Sequence, residues 1–376
     1  MIHFSFLSGA YKNAGDFLIV ERSKALLRHV YPDCQITEYE RRLPLNEHLE
    51  GINKSSCVIL AGGPAYQPNI YPASIPLVEN LDDIKAPIFS IGLGWKGRTI
   101  NDIGNYHFSD TTKLLLQRIE NDGLPLSCRD WNSAAVLHRN GFNNTRMTGC
   151  PAWYNLEYLA NGNAITKDSP KEYKNICISD PAYIENHQQS IDLIHTIRRL
   201  FPQAEVTFVF HRGFVTDQHT KSKEGELQHQ LMQKISEIEG VQIVDASYGL
   251  EKLKVYDACD LHIGFRVHAH IYNISQGNNS ILIEEDARGA GINEITGHPS
   301  IKAYSTKYTA VKRMNPFSAP RIDVQRTQNP NFLQEVEFAL FRMQESAPML
   351  RNHTDQVIRN YFDVMTNHIK QIENLV

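Results

Sequence analysis

A chain of 376 residues with a formal charge of −4 is long for one hydrophobic core, so two domains are expected. The charge balance excludes a general nucleic-acid binder, which would carry a basic stripe. No apolar run approaches the roughly 20 residues needed to cross a bilayer. The six cysteines, at 34, 57, 128, 150, 177 and 259, form no C-x-x-C pair and read as reduced and mostly buried.

The segment Met1-Ile2-His3-Phe4-Ser5-Phe6 lacks the basic-then-apolar layout of a signal peptide. His3–Leu7 reads instead as a first strand, and cytoplasmic placement is the expectation. Ala14–Val30 has helical spacing, Cys34–Tyr39 alternates as a strand, and Ser56–Leu60 is a continuous apolar strand running into Gly62-Gly63-Pro64. Pro87–Ile91 is another, ending in Gly92-Leu93-Gly94. A helix over Thr111–Glu120, a strand over Leu124–Cys128 and a helix over Trp131–Arg139 follow. Strand and helix alternation with glycine at strand ends predicts a doubly wound parallel sheet.

The pattern pauses at Pro151–Pro170, around Asn161-Gly162-Asn163, and restarts. Strands are expected at Asn175–Ser179, Ala204–Phe210, Val241–Val244, Asp260–Ile263 and Ser280–Ile283. Helices are expected at His187–Leu200, Glu224–Glu239 and Gly249–Cys259. Past residue 300 the strand signals fade, and Phe332–Met343 and Thr354–Ile372 read as helices. The predicted fold class is α/β, with two Rossmann-like domains facing a cleft and a helical C-terminal tail. The boundaries are 1–160 for the acceptor-side domain, 161–300 for the donor-side domain and 301–376 for the tail, which could return to the first domain.

In open α/β sheets, ligands bind beyond the carboxyl ends of the strands. There this sequence places Gly264, Arg266, His268 and His270 after one apolar strand, and Glu284-Glu285-Asp286-Ala287-Arg288 after the next. Guanidinium groups beside a helix start suit a phosphate or carboxylate. Arg212 emerges at a third strand end, after Phe210-His211. The turn Gly9-Ala10-Tyr11-Lys12-Asn13-Ala14-Gly15-Asp16 opens the first helix and is neither a G-x-G-x-x-G nor a P-loop. Alone it fits an ordinary βα connection with Asp16 as a cap-region acid. Gly63 and Gly94 alone satisfy tight turns. Arg129 and Asp130 read as structural, with Asp130 near a helix start. His268 and His270 have H-x-H spacing, but in a helix that spacing points to different faces, so a closed zinc site is not expected.

On these residues the chain resembles the polysaccharide pyruvyl transferase family. The likeness runs in order through Gly9 to Asp16, Ala61-Gly62-Gly63-Pro64, Ser90-Ile91-Gly92-Leu93-Gly94, Arg129-Asp130-Trp131-Asn132-Ser133, Thr148-Gly149-Cys150-Pro151, Gly264-Phe265-Arg266-Val267-His268 and Asp286-Ala287-Arg288. Val267 stands where leucine is usual, and the chain after residue 300 lies outside the likeness. The resemblance implies a GT-B-like fold and transfer of the pyruvyl unit of phosphoenolpyruvate to a sugar of a bacterial-type polysaccharide (exopolysaccharide or capsule). It implies no cofactor and no metal, with a glycan or lipid-linked oligosaccharide as partner. Peripheral association with the inner face of the membrane is compatible with such an acceptor.

For that reaction Arg266, Arg288 and Arg212 are the candidates to clamp the donor's anions. His268 is the candidate acid, and Asp16 the first choice for acceptor base. Asn13, Gly15, Gly63, Gly94 and His270 complete the expected substrate-binding set. Two other readings stay open: a GT-B-type glycosyltransferase using a nucleotide sugar, and a non-catalytic sugar-binding or assembly protein.

Overall fold

A computed structural model of the chain describes residues 1–161, 172–311 and 321–375. Two parallel sheets organise it. The first has the order β2-β1-β3-β4, from β1 (His3–Ser8), β2 (Gln35–Glu40), β3 (Cys57–Ala61) and β4 (Ile88–Ile91). A Leu93–Cys128 bridge extends it to the parallel pair β5 (Leu126–Cys128) and β6 (Thr145–Met147). The second sheet contains β7 (Asn175–Ser179), β8 (Glu205–Phe210), β9 (Val241–Asp245), β10 (Leu261–Gly264), β11 (Asn279–Glu284) and β12 (Ser300–Lys302). Its order is β12-β11-β10-β7-β8-β9. β3, β10 and β11 are buried along their whole length. Helices cover both faces of such strands, and that explains why β3 is apolar throughout and why β10 and β11 are mostly so.

Strand order reverses direction next to β1 in the first sheet and next to β7 in the second. Loops leaving neighbouring strands there turn to opposite faces, opening a crevice at the carboxyl ends. The two crevices face each other, because the loop after β1 is docked into the second half. The Ala14 amide donates to the His211 carbonyl at 3.0 Å, and the Tyr248 amide donates to the Lys12 carbonyl at 2.9 Å. The Lys12 ammonium is 2.7 Å from Asp217 and donates to the Val215 carbonyl at 2.8 Å.

The helices Ala14–Val30, Trp131–Arg139 and His187–Leu200 have the expected bounds. Their starts are chemically marked. Asn13 caps the first, and Asp130 caps the second by accepting the Ser133 amide at 2.7 Å. Gly249–Cys259 differs from expectation, because only a 3-10 turn, Glu251–Tyr256, forms there. The boundary expected between residues 160 and 161 adjoins residues 162–171, which lie outside the described residues.

The chain beyond residue 300 departs most from the sequence reading. β12 completes the second sheet, and β13 (Tyr304–Val311) pairs antiparallel with β14 (Arg321–Gln328). One helix, Phe332–Lys370, replaces the two expected and runs through Pro348. A proline inside a helix costs about 3 kcal/mol. Burial of Met343, Ala347 and Leu350 around it offsets that cost. The helix packs first on the second core, through Phe332 to Leu350, and then on the first, through Ile358, Met365 and Ile369. Among the described residues no helix is long and apolar enough to cross a membrane.

Behind the second crevice, buried histidines gather on Ser280. Nδ1 of His262 and of His270 each lie 2.7 Å from its hydroxyl. His298 Nδ1 lies 3.2 Å from its carbonyl. Burial pushes His262 down to about 3 and His298 to about 4. A base held neutral in the folded chain contributes stability above its unfolded pKa, near 6.5, and loses it as pH falls toward the folded value. Burial raises Glu284, Glu285 and Asp16, which act in the opposite sense, but the lowered histidines outnumber them. The Tm should therefore fall steadily from about pH 6.5 to pH 4, and His298→Gln should flatten that slope. A Tm unchanged down to about pH 4.5 contradicts this account.

Candidate active site

The ends of β7 and β10 are joined by one buried ion pair. Asp180, directly after β7, is fully buried. It accepts the His211 amide at 3.0 Å and Gln228 Nε2 at 2.9 Å. It also accepts both arms of Arg266, Nε at 2.8 Å and Nη2 at 2.5 Å. Arg266 stands at the N-cap of the helix Val267–Ile274. Its fork is thus occupied by a carboxylate of the chain itself, so it is not the open anion clamp expected from sequence.

Arg288 is held in the same way. Asp286 caps the helix Ala287–Thr296, and Arg288 donates to it through Nε at 2.9 Å and Nη2 at 2.7 Å. Burial alone would raise the Asp286 carboxyl, but Arg288 outweighs it and holds the group at about 2. Arg129, 2% exposed, pairs with Asp130 at 3.0 Å and donates to the Trp95 carbonyl at 2.6 Å.

Arg129, Arg266 and Arg288 line a cavity of about 650 Å³ between the halves. Seven cationic side chains face it: Arg41, Arg42, Lys96, Arg129, Arg212, Arg266 and Arg288. Among the described residues, the carboxylates on its wall are Asp16 and Glu224. Arg129, Arg266 and Arg288 carry their own carboxylate partners. Arg41, Arg42, Lys96 and Arg212 have no ion pair among the described residues. Burial and then the Arg288 charge push Lys96 down. A low-dielectric cleft concentrates such a field, so an acidic protein here holds a strongly anion-attracting site.

His268 sits at the centre of that field. Its Nε2 is buried without a hydrogen-bond partner among the described residues. Burial, Arg129 and Arg288 lower it to about 3, so the ring is neutral at pH 7. The opposite wall comes from the first domain. A Cβ added to Gly15 would lie 2.6 Å from His268 Cβ and 2.7 Å from its Nδ1, so only glycine permits this approach. One residue on, Asp16 faces the cavity with its pKa raised by burial, against the pull of Arg41, Asn13 and Arg212. A neutral imidazole and a carboxyl made more basic by burial thus line the same cavity.

The structure brings Asp16, Asn13, Arg212, Arg266, His268 and Arg288 to one cavity. Gly63, at φ 71°, lies beside the Arg41 guanidinium. Gly94 stands behind Arg129, whose side chain would overlap a Cβ there. His270 is a correction. It is fully buried on Ser280 and does not line the cavity, because the Val267–Ile274 helix turns it into the core.

Arg41 and Arg42 escaped the sequence reading, and Lys96 and Asp180 were not singled out as site residues. Arg41, Arg42 and Asp180 lie just beyond strand ends, the same signal that identified Arg212 and Arg266, and Lys96 lies further along the loop after β4. Among the described residues no three His, Cys, Asp or Glu side chains are grouped to hold a metal ion.

The polysaccharide pyruvyl transferase family model matches residues 13–286. No curated protein matches the chain. Among solved structures, the S. aureus MnaA–UDP co-structure is 11% identical, over 100% of this chain and 98% of that one, with a TM-score of 0.53. UDP-GlcNAc 2-epimerase from Neisseria meningitidis bound to UDP-GlcNAc is also 11% identical, over 99% of this chain and 100% of that one, with a TM-score of 0.53. At that identity the likeness establishes the fold, which is GT-B-like.

The pairing of Arg266 separates two variants. Arg266→Lys leaves buried Asp180 short of a hydrogen bond and should lower stability by about 1–3 kcal/mol. His268→Ala removes a ring whose Nε2 has no partner to lose and should cost less than about 1 kcal/mol. Gly15→Ala should displace His268 and lower turnover more than it lowers Tm. Denaturant melts and steady-state rates on the three variants decide. Equal stability losses for Arg266→Lys and His268→Ala contradict the assignment.

Proposed function

We propose, because this chain belongs to the polysaccharide pyruvyl transferase family, that it moves the pyruvyl group of phosphoenolpyruvate onto a sugar of a bacterial-type cell-surface polysaccharide or its lipid-linked precursor. The product is a ketal, and phosphate is released. The observation that carries the reading is the set of cations that make no ion pair among the described residues, Arg41, Arg42, Lys96 and Arg212, in one cavity with a neutral His268.

Phosphoenolpyruvate brings a phosphate and a carboxylate into that field. Lys96 and Arg212 attract them, while Arg266 and Arg288, fixed by Asp180 and Asp286, present oriented guanidinium edges that need no reorganisation. An anion placed beside His268 offsets Arg129 and Arg288 and favours the imidazolium, which then delivers a proton to the donor. Protonation of the methylene carbon makes the adjacent carbon electrophilic. Two sugar hydroxyls add to that carbon and the phosphate oxygen leaves. Of the two hydroxyl protons, one balances the new methyl group and the other leaves with phosphate. Asp16, in reach of the first-domain wall, is the group that accepts a hydroxyl proton. The reaction belongs in the cytoplasm, with a lipid-linked acceptor met at the inner face of the membrane.

The structural neighbours are described with UDP and UDP-GlcNAc, so a nucleotide-sugar donor is the second reading. Incubation with phosphoenolpyruvate and a panel of free and lipid-linked glycans should release phosphate and add a pyruvyl ketal to one of them. Lys96→Gln and Arg212→Gln should each raise the KM for phosphoenolpyruvate about tenfold, near 1.4 kcal/mol. Consumption of a nucleotide sugar, with no phosphate release from phosphoenolpyruvate, overturns the proposal.

A further inference from the structure

A second cavity, of about 550 Å³, lies on the other side of the segments that build the first. The two share no lining residue, but two stretches of chain line both. Lys96 faces the first cavity and Arg98 the second. Tyr183 faces the first and Glu185 the second. The stretch Glu285–Arg288 runs between them, with Arg288 on the first. The remaining wall is the β13–β14 hairpin, which lies outside the residues matched by the family.

The second cavity is a built site. Arg326 of β14 is 11% exposed. It lies 3.8 Å over the Tyr304 ring and donates through Nη2 to the Glu285 carbonyl at 2.7 Å. Its Nη1 donates to the Arg98 carbonyl at 3.2 Å. Its Nε is buried without a partner among the described residues. Asn186, 2% exposed, donates to the Glu285 carboxylate at 2.7 Å, and Gln328 donates to the Glu185 carbonyl at 2.7 Å.

Charge distinguishes the two cavities. The first carries seven cations against two carboxylates. In the second, Arg98 and Arg326 face Asp102 and Glu185, two against two. A balanced wall has no preference for an ion. It offers guanidinium and amide donors interleaved with carboxylate and carbonyl acceptors. A neutral polyhydroxyl ligand, whose every hydroxyl both donates and accepts, is the chemistry that satisfies such a wall.

We infer that this second cavity is a subsite for neutral sugar units of the acceptor, next to the unit that is modified. The inference rests on the proposal that the acceptor is a glycan. The hairpin then selects the acceptor chain, while the family-matched residues perform the transfer.

The test is binding of neutral gluco-, galacto- and manno-configured mono-, di- and tetrasaccharides, followed by ligand-detected NMR, with phosphoenolpyruvate titrated separately. At least one tetrasaccharide should bind about tenfold tighter than its monosaccharide and slow amide exchange at 303–304 and 326–328. Gln328→Trp, which fills the cavity from an exposed position, should abolish that gain, and Glu185→Ala should reduce it. The absence of any gain with length, or a gain that survives both substitutions, overturns the subsite. Failure of phosphoenolpyruvate to bind, with the length gain intact, counts against the donor reading and leaves the subsite standing.

Discussion

The Arg266–Asp180 pair is the constraint from which the site follows. Asp180 is fully buried, and its contacts to His211, Gln228 and Arg266 tie β7, β8, the helix after β8 and the helix after β10 to one carboxylate. An unpaired charge there would cost several kcal/mol, so the geometry of all four elements is coupled. With β7 and β10 fixed, the switch point between them is fixed, and His268 is held two residues past Arg266. Asp286 and Arg288 repeat the device one strand further along.

These pairs have an electrostatic consequence. Guanidinium groups already matched by carboxylates hold their position in the empty cavity and still present an edge to it. Attraction for a ligand falls to the cations without such partners, and the first domain supplies most of them: Arg41, Arg42 and Lys96. The GT-B-like arrangement therefore divides the work of a transferase. One half carries His268, and the other brings charge and the Asp16 carboxyl to the same cavity. Gly15 sets how closely the halves approach, because a side chain there would meet His268.

Much of this was legible in the sequence, for identifiable reasons. Strands buried on both faces had to be mostly apolar, so β3, β7, β10 and β11 stood out within a residue or two. Helix starts at Asn13 and Asp130 carried their caps. The strand-end rule located Arg212, Arg266, His268 and Arg288. It missed Arg41 because β2 runs one residue past the expected end and delivers Arg41 directly after Glu40. The partner of Arg266 was invisible because Asp180 is 86 residues away, and pairing across sheet neighbours leaves no local signal. His270 was misplaced because the helix that starts after Arg266 turns it into the core, onto Ser280. The β13–β14 hairpin was hard to read because its strands interleave Ser, Thr, Lys, Gln, Arg and Asp with few apolar residues.

The central claim is that His268 is kept neutral by burial and by Arg129 and Arg288 until the donor anion arrives. Calorimetry of phosphoenolpyruvate binding measures this directly, in two buffers of different ionisation enthalpy, at a pH where the donor is fully ionised. The account predicts that binding takes up a proton in the wild-type protein and that His268→Ala binds without proton uptake. Binding with no proton exchange in the wild type, or uptake undiminished in His268→Ala, would contradict it.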